Sequence, residues 1–130
     1  NINFKLIIKG DNMKIAKSLL IASAVTGLLT TASLADAALV AKGEKIFNNK
    51  KKGNCFACHD VNGKKIDGPG SFGPKLSYLS AYPEDVLFDL VYDIYKAKDL
   101  KVSAMPAFGT NGWLDDAEIK AVVAYLKTIN

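Results

Sequence analysis

The sequence contains no arginine, and it has only one histidine, two cysteines and two methionines. Its 17 basic residues are therefore all lysines, set against 13 acidic residues. Nucleic-acid-binding domains usually carry a basic stripe with arginine, interleaved with aromatic residues. No such stripe is present, so we expect no nucleic-acid partner.

Long hydrophobic runs are also absent. The most apolar segment, residues 19–29, has eleven residues, whereas a transmembrane helix needs about 20. Met13 and two lysines precede this segment, and Ala35 and Ala37 place small residues in an A-x-A pattern before Ala38. This order is typical of a secretory signal peptide. A retained membrane anchor is the alternative.

These features predict three segments. Residues 1–12 are interpreted as a translated upstream segment without a function, 13–37 as the signal peptide and 38–130 as the mature domain. The mature domain carries 13 lysines against 11 acidic residues, a net charge of +2. We expect export to the periplasm and no membrane contact after cleavage. A single domain of 93 residues buries a modest fraction of its surface by itself.

Helical signals dominate the mature domain. Helices are predicted over 39–49, with Leu39 on the buried face, and over 83–97, where Pro83 suits the first helical position. A last helix starts after Asp115, which forms a capping box with Glu118. Its buried stripe consists of Ile119, Val122, Val123 and Leu126.

No convincing alternating strand pattern occurs, so the predicted fold class is all-α. Long loops remain over 60–82 and 99–113. Loops of this length in a small domain usually surround something functional.

The motif that carries chemistry is Cys-Phe-Ala-Cys-His at residues 55–59. C-x-x-C-H is the attachment motif of c-type haem. The thiols of Cys55 and Cys58 reach the two vinyl groups of a haem and form thioethers. His59 is then held under the iron as the proximal ligand, and neutral imidazole suits iron. The motif predicts one covalent haem c.

Three other interpretations of the motif stay open. A redox dithiol needs only Cys55 and Cys58, but it usually lies in a βαβ unit, and the sequence shows none. A structural zinc site needs four ligands, so a carboxylate would have to join these cysteines and His59. A disulfide is possible in a secreted protein, but it leaves the adjacent histidine unexplained.

Met105 is the candidate for the second axial ligand. It is the only methionine of the predicted mature domain, lies 46 residues beyond His59 and precedes Pro106. A thioether favours ferrous iron, so a His/Met pair raises the reduction potential. The alternative is that Met105 only fills space in the core.

Five segments together resemble the class I cytochromes c. They are G-x-x-I-F at 43–47, CFACH at 55–59, G-P-x-L at 73–76, M-P-x-F-G at 105–109 and E-I-x-x-V-V-x-Y-L at 118–126. The resemblance implies three to five helices with long loops around one covalent haem. It implies that Gly43 and Phe47 pack on Tyr125, and that the carbonyl of Pro74 accepts a hydrogen bond from His59. An ordinary turn is the alternative at Pro74.

Within that class the sequence is most similar to the SoxX family, the monohaem subunits of SoxAX cytochromes. The similar segments are GNCFACH at 53–59, GSFGPKL at 70–76 and AMPAFGTNGWLDDAEIKAVVAYL at 104–126. This resemblance implies a SoxA-like cytochrome subunit and a downstream electron acceptor as partners. The chain would then be the electron-transfer subunit of an L-cysteine S-thiosulfotransferase in thiosulfate oxidation. The alternative is a free-standing cytochrome shuttle, which is not an enzyme.

Two groups of residues are candidates for a surface that meets a partner. The first contains aromatic and aliphatic residues in or near the long loops: Phe72, Tyr78, Leu79, Tyr82, Phe108 and Trp113. The second contains lysines near the haem motif: Lys50, Lys51, Lys52, Lys64, Lys65 and Lys75. The lysines are either a steering collar for an acidic partner or a solvated face.

Overall fold

A computed structural model describes Leu34 and residues 36–130. The predicted upstream segment 1–12 and nearly all of the predicted signal peptide 13–37 lie outside the described residues. Both assignments stay predictions. Within the described part, no helix is long and apolar enough to cross a membrane.

The described residues form an all-α fold, as predicted. The helices are α1 over 36–48, α2 at Glu84–Tyr92, α3 at Ile94–Ala97 and α4 at Asp116–Leu126. Two 3₁₀ turns lie at Cys55–Ala57 and Leu79–Ala81. Over 36–130 the only β-type pairing is one isolated parallel bridge between Val61 and Leu76, in the first of the two long loops.

Helix α1 differs in detail from the prediction of 39–49. It already includes residues 36 and 37, so it runs across the proposed cleavage position. Leu39 does not lie in the core and is 38% exposed. The prediction of its burial is wrong because Leu39 lies at a surface groove lined by Val40 and Phe88. The core face of α1 is formed by Gly43, Ile46 and Phe47.

The prediction of one continuous helix over 83–97 is wrong. Asp93 adopts an extended conformation (φ −153°, ψ 90°) and separates α2 from α3. Its carboxylate accepts hydrogen bonds from the backbone N–H groups of Tyr95 and Lys96, each at 3.1 Å. The side chain therefore acts as the N-cap of a new helix, which is a favoured role for aspartate.

Helix α4 begins as predicted. Asp115 accepts from the backbone N–H of Glu118 at 2.7 Å, and Glu118 accepts from that of Asp115 at 3.1 Å. This capping box satisfies two N–H groups that have no partner inside the helix. All four residues of the predicted stripe are buried. The stripe covers the centre of the core, where α2 packs on α4.

Helices α1 and α4 meet at a point where there is room only for a glycine. A Cβ atom built on Gly43 would overlap the carbonyl oxygen of Ala121, and it would lie 3.0 Å from Cβ of Tyr125. Phe47 packs on Tyr125, with ring centroids 5.3 Å apart and planes tilted by 56°. The packing of Gly43 and Phe47 on Tyr125 is thus confirmed.

We therefore expect Gly43→Ala to destabilise the protein. Alanine favours an exposed helix over glycine by about 1 kcal/mol, but here its methyl group collides with a backbone atom that cannot rotate away. Overpacking of this kind typically costs about 1–3 kcal/mol, and an overlap with a backbone oxygen belongs at the upper end of that range, so a net loss of about 2 kcal/mol is expected in denaturant unfolding. Lys45→Ala, at an exposed site of α1, is the control and should change stability by less than about 0.5 kcal/mol. A Gly43→Ala protein as stable as the control would contradict the close contact.

Candidate functional site

A cavity of about 640 Å³ lies at the motif. Its lining includes all five predicted site residues: Cys55, Cys58, His59, Pro74 and Met105. They come from three separate segments: the 3₁₀ turn after α1, the first long loop and the second long loop. The volume falls within the range of about 300–1,000 Å³ that is typical of ligand and cofactor sites.

A tight turn carries the two cysteines and the histidine. Asn54 has a positive φ of 52° and precedes the 3₁₀ turn Cys55–Ala57. The carbonyl of Cys55 accepts from the N–H groups of Cys58 at 3.1 Å and His59 at 2.9 Å. A Cβ on Gly53 would lie 2.8 Å from the Ile46 carbonyl oxygen. The glycine and asparagine therefore allow the chain to turn sharply from α1 into the motif.

The environment of the cysteines bears on the other interpretations of the motif. No disulfide joins Cys55 and Cys58. Burial is the main cause that raises the pKa of the Cys55 thiol to about 12, whereas reactive or metal-binding cysteines need a thiolate. Over the part of the chain that the structure describes, no three His, Cys, Asp or Glu side chains group closely enough to hold a metal ion. The raised pKa of Cys55 disfavours a redox dithiol.

Two adjacent residues, Gly73 and Pro74, lie against the imidazole of His59. Its Nδ1 lies 2.8 Å from the carbonyl oxygen of Pro74. Because a carbonyl only accepts, Nδ1 carries the proton and Nε2 keeps its lone pair. A Cβ on Gly73 would lie 2.5 Å from Cε1 of the ring and 2.7 Å from Nδ1. The N–H of Gly73 donates to the carbonyl of Cys58 at 2.8 Å, which ties this segment to the motif.

Met105 approaches the same cavity from the second long loop. Its side chain is half-buried and packs against the hydrophobic core. Its backbone N–H donates to Oγ of Ser103 at 3.1 Å. The lining thus offers one imidazole and one thioether, the two groups that serve as axial ligands in many haem sites.

One more polar residue at the cavity was missed by the sequence reasoning. Oδ1 of Asn54 is buried and has no hydrogen-bond partner among the described residues, and Asn54 lines the cavity. Unpartnered buried polar atoms are uncommon in folded proteins, and a bound group or a water molecule satisfies them. The Gly53-Asn54-Cys55 order was the available signal, since an asparagine is favoured where φ is positive.

The cavity wall is mostly apolar, and its bulky side chains are Phe72, Ile94, Phe108 and Trp113. A haem presents a broad apolar face, two vinyl groups for thiols and an iron for axial ligands. An apolar cavity with two thiols, an imidazole and a thioether at its wall fits this group.

Comparison with known proteins agrees with the fit. A family model described as Cytochrome c matches residues 40–130. A search of curated proteins gives no match. The family match contains the complete C-x-x-C-H motif and nearly all of the described helical domain, and the family implies covalent haem c and electron transfer. The chain belongs to the cytochrome c family and has the all-α class I fold.

Proposed function

We propose that the chain is a monohaem electron-transfer cytochrome in which Cys55 and Cys58 hold the haem and His59 and Met105 are the axial ligands. The observation that carries this proposal is the convergence of these four side chains on one apolar cavity. The bound haem supplies the one-electron chemistry. The protein's residues orient it, set its electronic environment and exclude water.

The protein itself orients the imidazole of His59 for binding to iron. The hydrogen bond from Nδ1 to the Pro74 carbonyl leaves Nε2 as the coordinating atom and increases its basicity. This is the arrangement of a permanent ligand, because rotation of the ring breaks the bond and is resisted by the backbone at Gly73.

Met105 completes the pair from the other long loop. A thioether stabilises the reduced state, so Met105 raises the reduction potential. His59 and Met105 would together hold the iron, and the haem would then supply electron transfer without a position for a substrate to bind. The site is therefore suited to passing single electrons and not to chemistry on a bound molecule.

The finer proposal is a SoxX-like subunit in the periplasm, with a SoxA-like cytochrome subunit and a downstream electron acceptor as partners. Beside the similar sequence segments, the support is an apolar rim on the cavity. Phe72 and Trp113 line the cavity and are 77% and 55% exposed. Large aromatic side chains exposed at a functional site are frequent anchors in protein interfaces.

The other candidate contact residues divide by exposure. Tyr78 and Tyr82 are exposed but do not line the cavity. Leu79 is half-buried, and Phe108 is buried and packs edge-on against Trp113, with ring centroids 6.1 Å apart. Phe108 is therefore a core residue, and its inclusion among the exposed candidates is wrong.

A free-standing shuttle is the second candidate, and a charged rim favours it. Lys50, Lys51 and Lys52 line the same cavity, and lysines there steer an acidic partner during brief encounters. Lys52 pairs with Glu118 at 2.5 Å, so its charge is partly compensated. The aromatic side chains and the lysines surround the opening of one cavity. Experiments must therefore separate what each group contributes to partner binding.

Extraction of the haem and substitution of the two cysteines test whether the haem is covalently attached. The haem of the wild-type protein should remain with the chain in denaturing electrophoresis and in acid–acetone extraction, because thioethers resist both. Cys55→Ser and Cys58→Ser should each lower the holoprotein yield and leave a single thioether, which mass spectrometry of haem peptides detects. Ser71→Ala, an exposed change, serves as control. Haem that extracts freely from the wild-type protein would contradict covalent attachment.

Axial ligation is tested by Met105→Ala. The ferric variant should lose the weak charge-transfer band at the red end of the spectrum and bind added imidazole. Its midpoint potential should fall by on the order of 0.1 V, within the roughly 0.8 V that axial ligands span. Val102→Ala is the matched control, since Val102 lies in the same loop and is 85% exposed. A Met105→Ala protein with unchanged spectra and potential excludes Met105 as a ligand.

The subunit proposal is tested by co-expression with a SoxA-like cytochrome. We expect a stable complex and thiosulfate-dependent reduction of the haem in this chain. Phe72→Ala and Trp113→Ala should each weaken the complex by on the order of tenfold or more, as expected of interface anchors. Val86→Ala, exposed on α2 and away from the cavity, is the control. A chain that accepts electrons at full rate without forming a complex supports the free shuttle.

A further inference from the structure

Two backbone hydrogen bonds attach the second long loop to the junction of α2 and α3. On one side, the N–H of Leu100 donates to the carbonyl of Tyr95 at 2.8 Å. On the other, the N–H of Gly109 donates to the carbonyl of Tyr92 at 3.0 Å. Both ends of the segment that carries Met105 are thus attached to a stretch of four residues around the helix break.

The carboxylate of Asp93 strengthens one of these attachments. Asp93 is 6% exposed and is the only buried charged residue over 36–130. Its Oδ2 accepts from the Thr110 hydroxyl at 2.7 Å and lies 3.5 Å from the Lys96 ammonium. The hydrogen bond from Thr110 is the main cause that lowers the pKa of Asp93. Hydrogen bonds to an ionised acceptor are shorter and stronger than neutral ones.

Tyr95 makes the attachment that leads directly to Met105. Its hydroxyl donates to the carbonyl of Ser103 at 2.8 Å. The Ser103 hydroxyl oxygen accepts from the backbone N–H of Met105 at 3.1 Å. Two hydrogen bonds therefore connect α3 to the backbone of Met105 through one intervening residue.

The hydrogen bonds of Tyr95 and Thr110 exist only while the second long loop keeps the conformation described here. A displaced Met105 requires residues 103–105 to move, and that movement breaks the bond from Tyr95. The bond therefore contributes its free energy to the equilibrium between the closed loop and a loop in which an added ligand has replaced Met105. A contact that only stabilised the whole domain would not change this equilibrium.

We infer that Tyr95 and Asp93 are positioning residues that hold Met105 toward the cavity and so set the strength of axial ligation. The inference rests on the proposed role of Met105. Neither side chain is required to touch the haem. Tyr95 acts through Ser103, and Asp93 acts through Thr110 at the returning end of the loop.

The test is competition between Met105 and imidazole in the ferric holoprotein. Tyr95→Phe removes one hydroxyl and keeps the ring. It should make imidazole bind about threefold to tenfold more tightly, the factor that corresponds to one net hydrogen bond. The charge-transfer band should also disappear at a lower temperature than in the wild-type protein. Thr110→Val removes the hydrogen bond to Asp93 and should shift both measurements in the same direction.

Two control variants separate positioning from general destabilisation. Tyr82→Phe deletes the hydroxyl of an exposed tyrosine and should leave the imidazole affinity unchanged. Val123→Ala removes buried methyl groups from α4 at a residue that does not line the cavity. It should lower the denaturant midpoint without tightening imidazole binding. If Tyr95→Phe and Thr110→Val stay within twofold of wild type, or if Val123→Ala tightens binding as much as they do, the inference is overturned.

Met105→Ala distinguishes this inference from the proposed function. If the wild-type protein lacks the charge-transfer band and Met105→Ala binds imidazole as the wild type does, Met105 is not a ligand and both proposals fall. If Met105→Ala binds imidazole much more tightly while Tyr95→Phe and Thr110→Val match the wild type, only the positioning role is wrong. If Tyr95→Phe yields no holoprotein, the imidazole affinity of Thr110→Val alone tests the positioning role.

Discussion

The contact between α1 and α4 at Gly43 is the constraint on which the rest of the domain depends. Because the backbone of α1 lies against the carbonyl of Ala121, the end of α1 is fixed relative to the core. The cysteine turn follows only a few residues later, so its position is fixed as well. Lys52 then reaches Glu118, whose carboxylate also caps α4. The motif is thus held from both sides by the two helices that form the centre of the fold.

The loops contribute as much to the site as the helices. A small domain with a large cavity has few helix–helix contacts to hold its loops, so they are tied by their own hydrogen bonds. In the first loop, the N–H groups of Gly70 and Gly73 donate to the carbonyls of Phe56 and Cys58, each at 2.8 Å. A Cβ at Gly70 would overlap the carbonyl of Ala57. The loop therefore lies directly against the cysteine turn and forms one wall of the cavity.

The sequence predicted those features that depend on local patterns or on family motifs. The start of α4 was predictable because Asp115 and Glu118 are three residues apart and cap each other. The two cysteines, His59, Pro74 and Met105 were predictable from their motifs, and the structure arranges them around one cavity. Their roles toward the haem stay predictions until the variants are measured.

The features that the sequence did not reveal depend on contacts between distant residues. The helical spacing of Leu87, Val91 and Ile94 suggests a helix that continues through residue 93. The break is stabilised by Thr110, 17 residues further along, and no local pattern indicates that pairing. The bond from Tyr95 to Ser103 is hidden for the same reason, because its acceptor is a backbone carbonyl in a loop.

The glycine beside His59 has a consequence for the rate of electron transfer. With Pro74 accepting from Nδ1 and the backbone of Gly73 against the ring, the imidazole has a single orientation available. As the proposed iron ligand, an imidazole that cannot turn would have the same geometry before and after an electron arrives, so little nuclear rearrangement would accompany the change of oxidation state. Preorganised groups of this kind avoid the reorganisation that water would require. In the proposed site, a residue without a side chain would thus lower the reorganisation energy, because its absence of bulk lets the backbone lie against the ring.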